Sequence, residues 1–271
     1  MGGNSPEIKE KTMKRNFPWM ILVVFLAFVS TAYGAGVEVG IGGWLQAPNG
    51  TISYKGVSTD DDIDIKDDLD YGEETRVMGR VKIDTPLWLP NIYLVAAPMD
   101  FEGTGSKSQD FTFGDVNFSA SVDFNSKVTL NQYDAALYYG IPLIKTATAG
   151  RLNIDLGLNA RYVDFSAEIT GRDSVTNTTV TEKESLSIVI PMVYAAVQLK
   201  PMDRFAIEAE ARAISVSGNS LYSVIGRLRV KVFGPAFVAG GYRYESLNID
   251  EEDVKVDARF AGPFVEVGMK F

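Results

Sequence analysis

Between Leu152 and Tyr162 every second residue is apolar. Leu152, Ile154, Leu156, Leu158, Ala160 and Tyr162 alternate with Asn153, Asp155, Gly157, Asn159 and Arg161. A period of two places these sets on opposite faces of a β-strand, whereas a helix would scatter both around its surface. Ten segments read as strands: about 36–46, 76–84, 91–102, 130–140, 151–168, 186–199, 205–216, 221–233, 236–245 and 257–271. Strands of this length exceed the usual five to six residues of a soluble sheet. They suit a tilted membrane crossing, which takes about 9–11 residues.

The connections test this reading independently. From a periplasmic start, the outer connections are 47–75, 103–129, 169–185, 217–220 and 246–256, and the inner ones are 85–90, 141–150, 200–204 and 234–235. Long and short alternate, apart from 217–220 and the moderately long 141–150, as expected of outer-membrane barrels. The expected fold is all-β: a transmembrane antiparallel up-and-down β-barrel of about ten strands. Eight or twelve strands also fit, because 111–118 could form an extra outer hairpin. Pro98, Pro191 and Pro263 cut against a closed barrel, which has no edge on which to hide a proline. They are expected at bulges or strand ends.

Residues 1–34 read as a secretory signal peptide: Lys9, Lys11, Lys14 and Arg15, an apolar run from Trp19 to Val29, and small residues at Ala32 and Gly34. Met13-Lys14-Arg15 would itself make an ordinary signal start, so 1–12 reads as an upstream extension and 35–271 as the barrel. The chain has neither Cys nor His. That excludes a disulfide framework, a lipoprotein anchor, a Ser-His-Asp triad and a His-ligated metal. No cofactor and no enzymatic activity are expected. A formal charge of −9 argues against nucleic acid as a partner.

Strand parity also assigns the two sides of the wall. A Lys or Arg facing lipid at mid-membrane costs about 2–4 kcal/mol, so charged positions should point inward. Ser217-Gly218-Asn219-Ser220 holds a two-residue hairpin signal. With Gly218-Asn219 as the turn, opposed residues sum to 437, which sets Glu210 against Arg227 and Glu208 against Arg229. Arg212, Lys231, Asp155, Arg161, Arg80, Lys82 and Glu266 share that inward parity, so a mixed-sign ion-pair network is expected. It serves either as structural filling or as a selectivity constriction. Tyr138, Tyr139, Tyr162, Tyr194, Tyr222, Tyr242, Tyr244 and Phe271 lie near strand ends, as interfacial girdles do, though some must face the lumen. Asp60, Asp61, Asp62, Asp64, Asp67, Asp68 and Asp70 crowd the first outer connection. They form an oxygen-rich run that could hold a divalent cation loosely but lacks EF-hand spacing.

The last strand sets Val267, Met269 and Phe271 on one face and stops on an aromatic residue, which resembles the assembly signal of outer-membrane barrels. Gly42-Gly43-Trp44, Asp67-Asp68-Leu69-Asp70, Leu89-Pro90-Asn91-Ile92, Ser217-Gly218-Asn219-Ser220-Leu221-Tyr222, Gly241-Tyr242-Arg243 and Gly262-Pro263-Phe264 add to it. In these stretches the chain resembles a family of small bacterial outer-membrane β-barrels of unassigned function. The resemblance implies an outer-membrane location after export, contact with outer-membrane lipid and lipopolysaccharide, and assembly by the barrel-insertion machinery with periplasmic chaperones. It carries no catalytic residue. The functional expectation is a narrow passive channel for small solutes or ions. The alternative is a non-conducting structural or surface-binding barrel acting through its acidic outer loops.

Overall fold

The computed structural model describes residues 36–271 apart from Val57, Leu87 and Glu252. The segment expected to direct export, 1–34, lies outside the described residues. Ten staves form one closed antiparallel barrel. They are β1 (Gly36–Tyr54), β3 (Glu74–Asp84), β4 (Asn91–Ala97) continued by β5 (Asp100–Gly105), and β8 (Phe124–Gly140). β9 (Leu152–Arg172), β10 (Thr179–Met202), β11 (Phe205–Val216), β12 (Asn219–Phe233), β13 (Ala236–Glu251) and β14 (Val254–Lys270) complete the wall. Each stave pairs with the next in the chain, and β14 returns to β1 with Val39 opposite Met269. Three short strands stand apart from this circuit: β2 (Ile63–Asp64), β6 (Phe111–Phe113) and β7 (Val116–Phe118). A short helix, α1 (Pro142–Ala147), fills the longest connection at the short-turn end.

Several staves run further than the alternation indicates, and mostly toward the long-loop end. β1 continues to Tyr54, β8 begins at Phe124, β9 reaches Arg172 and β10 begins at Thr179. Past the belt the outward face turns polar, with Asn125, Lys127, Glu168 and Thr170, while the inward face stays apolar with Phe124, Leu130, Ala167 and Ile169. The pairing of β9 with β10 nonetheless runs unbroken from Leu152–Leu199 to Arg172–Thr179. Phe111–Phe118 does form a hairpin, β6–β7, which joins the end of β9 through an isolated bridge from Phe118 to Asp173 and adds no stave.

The three prolines sit where the ladder is interrupted. Pro98 falls between β4 and β5, which share one register against β8. Pro191 lies just beyond the point where β10 leaves β11 at Val193–Ala213, so its missing N–H breaks no bond to β11. Opposite Gly262 and Pro263 the β1–β14 ladder skips Leu45 and Gln46, resuming at Ala47–Ala261 in the same register. None of the three prolines shifts the register of the wall.

The outward face is apolar where the staves are regular. Leu158 is 70% exposed, Val193 60% and Val265 63%, and each alternates with a buried inward neighbour. An exposed belt of this kind is stable only against lipid. Tyr139, Tyr162, Tyr222, Tyr242, Tyr244 and Phe271 share the outward face. Tyr138 and Tyr194 are buried in the lumen, so they belong to its filling and not to a girdle.

Candidate functional site in the barrel lumen

The hairpin between β11 and β12 fixes the most highly charged wall. Its turn is Ser217-Gly218, with Ser217 at φ 52° and Gly218 at φ 90°. Both central residues therefore adopt the positive φ of a type I′ turn, which matches the twist of the strands it joins. This corrects the expected register by two residues: opposed numbers sum to 435, so Glu208 faces Arg227 and Glu210 faces Ile225. The correction is even, so every side chain keeps its face. The two expected ion pairs form diagonally instead, with Arg227 Nη1 2.9 Å from Glu210 Oε1 and Arg229 Nη2 3.0 Å from Glu208 Oε1.

Two ion-pair networks occupy the half of the lumen toward the short turns. In the first, Arg229 Nη1 donates to Glu38 at 2.8 Å, and Arg227 Nη1 to Glu208 at 3.0 Å. Arg80 holds Glu266 with two N–H groups and reaches Glu38 at 2.7 Å. Lys82 and the Tyr93 hydroxyl both donate to Glu210, at 3.1 and 2.9 Å. In the second, Arg161 grips both oxygens of Asp134 at 2.8 and 2.9 Å and donates to Glu245 at 2.6 Å. Arg243 and Ser223 donate to the other Glu245 oxygen. Arg212 stands between the networks, 3.7 Å from Glu210 and 3.9 Å from Asp134, with its guanidinium between the rings of Tyr93 and Tyr194.

The signs balance. Glu38, Asp134, Asp155, Glu208, Glu210, Glu245 and Glu266 are buried in this wall, against six buried arginines and the half-buried Lys82. Charges taken out of water are tolerable when paired and hydrogen-bonded. The arrangement supplies both for most of these groups, while Arg212 lies within ion-pair distance of two carboxylates without a hydrogen bond from any of its three guanidinium nitrogens. Asp155 takes a different partner, accepting from the Asn153 amide at 2.6 Å. Lys231 has the inward parity but sits exposed at the short-turn mouth. Glu38, Asp134, Arg243 and Glu245 are network members that the sequence reading did not place. The signal available was the parity of β8 and β13, where Asp134, Arg243 and Glu245 are the charges within runs of Ala, Gly, Leu and Tyr.

The other half of the lumen is apolar, and loops fill it. Above where the β3–β4 pairing ends at Gly79–Ala96, β3 and β5 do not pair. The first outer connection occupies that gap. Its β2 pairs with β1 through Ile52–Ile63, and its Asp68–Asp70 backbone lies on Gly103 and Gly105 of β5. A Cβ at Gly105 would fall 1.8 Å from the Asp68 carbonyl oxygen, so only glycine admits this approach. Ile63, Ile65, Leu69 and Tyr71 point inward and are buried, packed with Trp44, Met99, Phe101 and Phe260. Burial there pushes the Tyr71 phenol up to about 12. The β6–β7 hairpin covers the mouth, with Phe111 stacked on Phe118 at 5.3 Å and Phe113 against Tyr54 at 5.6 Å.

The aspartates of that connection work as local structure. Asp61 is buried and accepts the backbone N–H of Thr112 and Ser58. Asp64 accepts from Lys66 and Asp67, and Asp68 accepts from Asp64. Asp62 pairs with Lys255 at 3.2 Å, and Lys107 bonds both Asp68 and the Asp62 carbonyl. Asp60, Asp67 and Asp70 are exposed. Among the described residues no three carboxylates gather as a cation would need. Asp-Ile-Asp-Ile at 62–65 is itself an alternating signal, which the density of acids obscured.

Little space remains inside. A cavity bounded by Met78, Arg80, Tyr93, Arg227, Arg243 and Glu266 measures about 10 Å³, room for one water molecule. At the short-turn mouth a vestibule of about 380 Å³ reaches inward to Lys82, Glu208 and Glu210. The remaining sequence-stretch of interest, Val267, Met269 and Phe271, lies on the outward face, half exposed.

No family model matches the chain, and no curated protein matches it. Solved structures similar to it are bacterial barrels. The outer membrane protease OmpT from Escherichia coli is 8% identical, with a TM-score of 0.48 over 89% of this chain and 99% of that one. The translocator domain of the autotransporter NalP from Neisseria meningitidis is 11% identical, with a TM-score of 0.45 over 93% and 94%. Ail, the attachment invasion locus protein of Yersinia pestis, is 10% identical, with a TM-score of 0.31 over 88% and 100%.

Proposed function

We propose that this protein is an integral outer-membrane barrel that holds its lumen shut and acts as a structural, surface-presenting element. The long loops then face outward and the short turns face the periplasm. One observation carries the reading: the first outer connection seats Ile63, Ile65, Leu69 and Tyr71 inside the mouth, above a charge-balanced lattice. A conducting pore needs a continuous polar path. Here an apolar plug and paired charges lie in series, and the residues expected to form a constriction spend their charge on one another. The outward Val267, Met269 and Phe271 are read as the handle for the insertion machinery. The surface available to lipopolysaccharide is the outer rim. No step of this reading calls for a catalytic group.

Planar-bilayer recording tests it. Wild-type protein is expected to insert without steady conductance, and replacing 58–71 by a flexible linker is expected to produce conducting events. Steady ohmic conductance of the wild type, lost in Arg229→Ala, would overturn the proposal in favour of a narrow channel.

A further inference from the structure

We propose that the short-turn mouth is a binding site for a small phosphate-type anion. The ends of β10, β11, β12, β13 and β14 enclose a pocket of about 320 Å³ lined by Lys200, Arg204, Lys231 and Lys270 over the ring of Phe237. That volume falls at the lower end of the usual ligand-pocket range, about 300–1,000 Å³.

The lining has more cations than it can neutralise. Arg229 at its floor is bound by Glu38 and Glu208 at 2.8 and 3.0 Å. Lys270 is bound by Glu38 at 3.2 Å and lies 4.0 Å from Asp84. Lys200, Arg204 and Lys231 have no ion pair among the described residues, and the one further carboxylate in the lining is that of Asp203. Glu38 and Glu208 are buried and already shared between Arg80, Arg227, Arg229 and Lys270, so they cannot serve the outer three.

The backbone holds these cations together. Lys231 N–H donates to the Arg204 carbonyl at 2.8 Å, Lys270 N–H to Pro235 at 2.9 Å, and Lys200 N–H to Arg151 at 2.7 Å. The ladder fixes the backbone positions from which these side chains reach one space, and a bound anion offsets their repulsion there. Two ammonium groups and a guanidinium around one space match the several oxygens of a phosphate or diphosphate. The Phe237 ring, which already carries the Arg80 and Arg229 guanidiniums on its face, keeps one wall dry. The same chemistry serves a free phosphate compound or the phosphate of a lipid headgroup leaning over the rim at Phe205. That the ligand arrives from the periplasm rests on the orientation proposed above, but the site does not.

Calorimetric titration of the full folded barrel with inorganic pyrophosphate, in non-ionic micelles at low salt, tests the proposal. Single-site binding is expected, weakened about tenfold or more in Lys200→Gln/Lys231→Gln and restored in Lys200→Arg/Lys231→Arg. Lys183→Gln, at the opposite end of the barrel, should leave it unchanged. Heat-modifiable gel migration confirms that each variant is folded. No binding by the wild type, equal affinity in the double Gln variant, or equal loss in Lys183→Gln would overturn the proposal. Repeating the titration in nanodiscs separates the two sources. Competition by phosphatidylglycerol, absent with phosphatidylcholine alone, identifies a lipid phosphate, and unchanged binding identifies a free one.

Discussion

The lumen has two halves built by different means. The half toward the short turns is filled by the staves themselves, through side chains that alternate inward: Glu38, Arg80, Asp134, Arg161, Glu208, Arg227 and Glu266. The half toward the long loops is filled by chain that leaves the wall and returns, Ile63–Tyr71 and the β6–β7 hairpin. The first is neutral only because opposite charges meet, and each charge is costly alone. The second is held by apolar contact, which is additive and forgiving. The charged half should therefore fail abruptly when one member is lost, and the apolar half by degrees.

The sharpest way to break this contrast is Arg161→Ala. It removes three charge-assisted hydrogen bonds from Asp134 and Glu245, whose side chains are 1–2% exposed, and leaves Asp134 with Asn159 and the more distant Arg212. A loss of about 3–5 kcal/mol is expected in denaturant unfolding of the detergent-folded barrel. A loss below about 1 kcal/mol would mean that water enters the lattice freely. Next in size is Leu69→Ala, fully buried in the plug, with an expected cost of about 2–5 kcal/mol toward the lower end, since the loop can settle into the space. The same variant should show brief conducting bursts where the wild type shows none. Smallest is Lys183→Ala on the long-loop rim. Its pair with Glu168 is exposed at both ends, so a change between about 0 and 1 kcal/mol is expected, screened away by salt.

The charged half was legible in the sequence because parity is a local property. Glu208, Glu210, Arg212, Arg227 and Arg229 alternate with alanine, leucine and isoleucine, and an even error in register leaves their face unchanged. That is why reading Gly218-Asn219 as the turn in place of Ser217-Gly218 shifted the directly opposed residues without misplacing a side chain or losing either expected ion pair. The apolar half was not legible, because Asp60 to Asp70 reads as a solvated acidic run. Nothing local reveals that Ile63, Ile65, Leu69 and Tyr71 meet Phe101 and Phe260 from distant staves. Arg243 and Glu245 escaped for a related reason: their partners Trp44, Arg161 and Ser223 come from three other staves.

The sequence by itself determined the barrel: ten alternating stretches, the sides each stave turns to lipid and lumen, and an interior of mixed sign. A two-residue side-chain period and the cost of charge in lipid suffice for that. Tertiary structure alone decided which carboxylate meets which arginine, and that the acidic loop enters the mouth. It also decided that three staves and the turn before β11 gather their cations around one pocket. Each of these depends on residues far apart in the chain being brought within a few ångströms by closure of β14 on β1, and no local pattern encodes that distance.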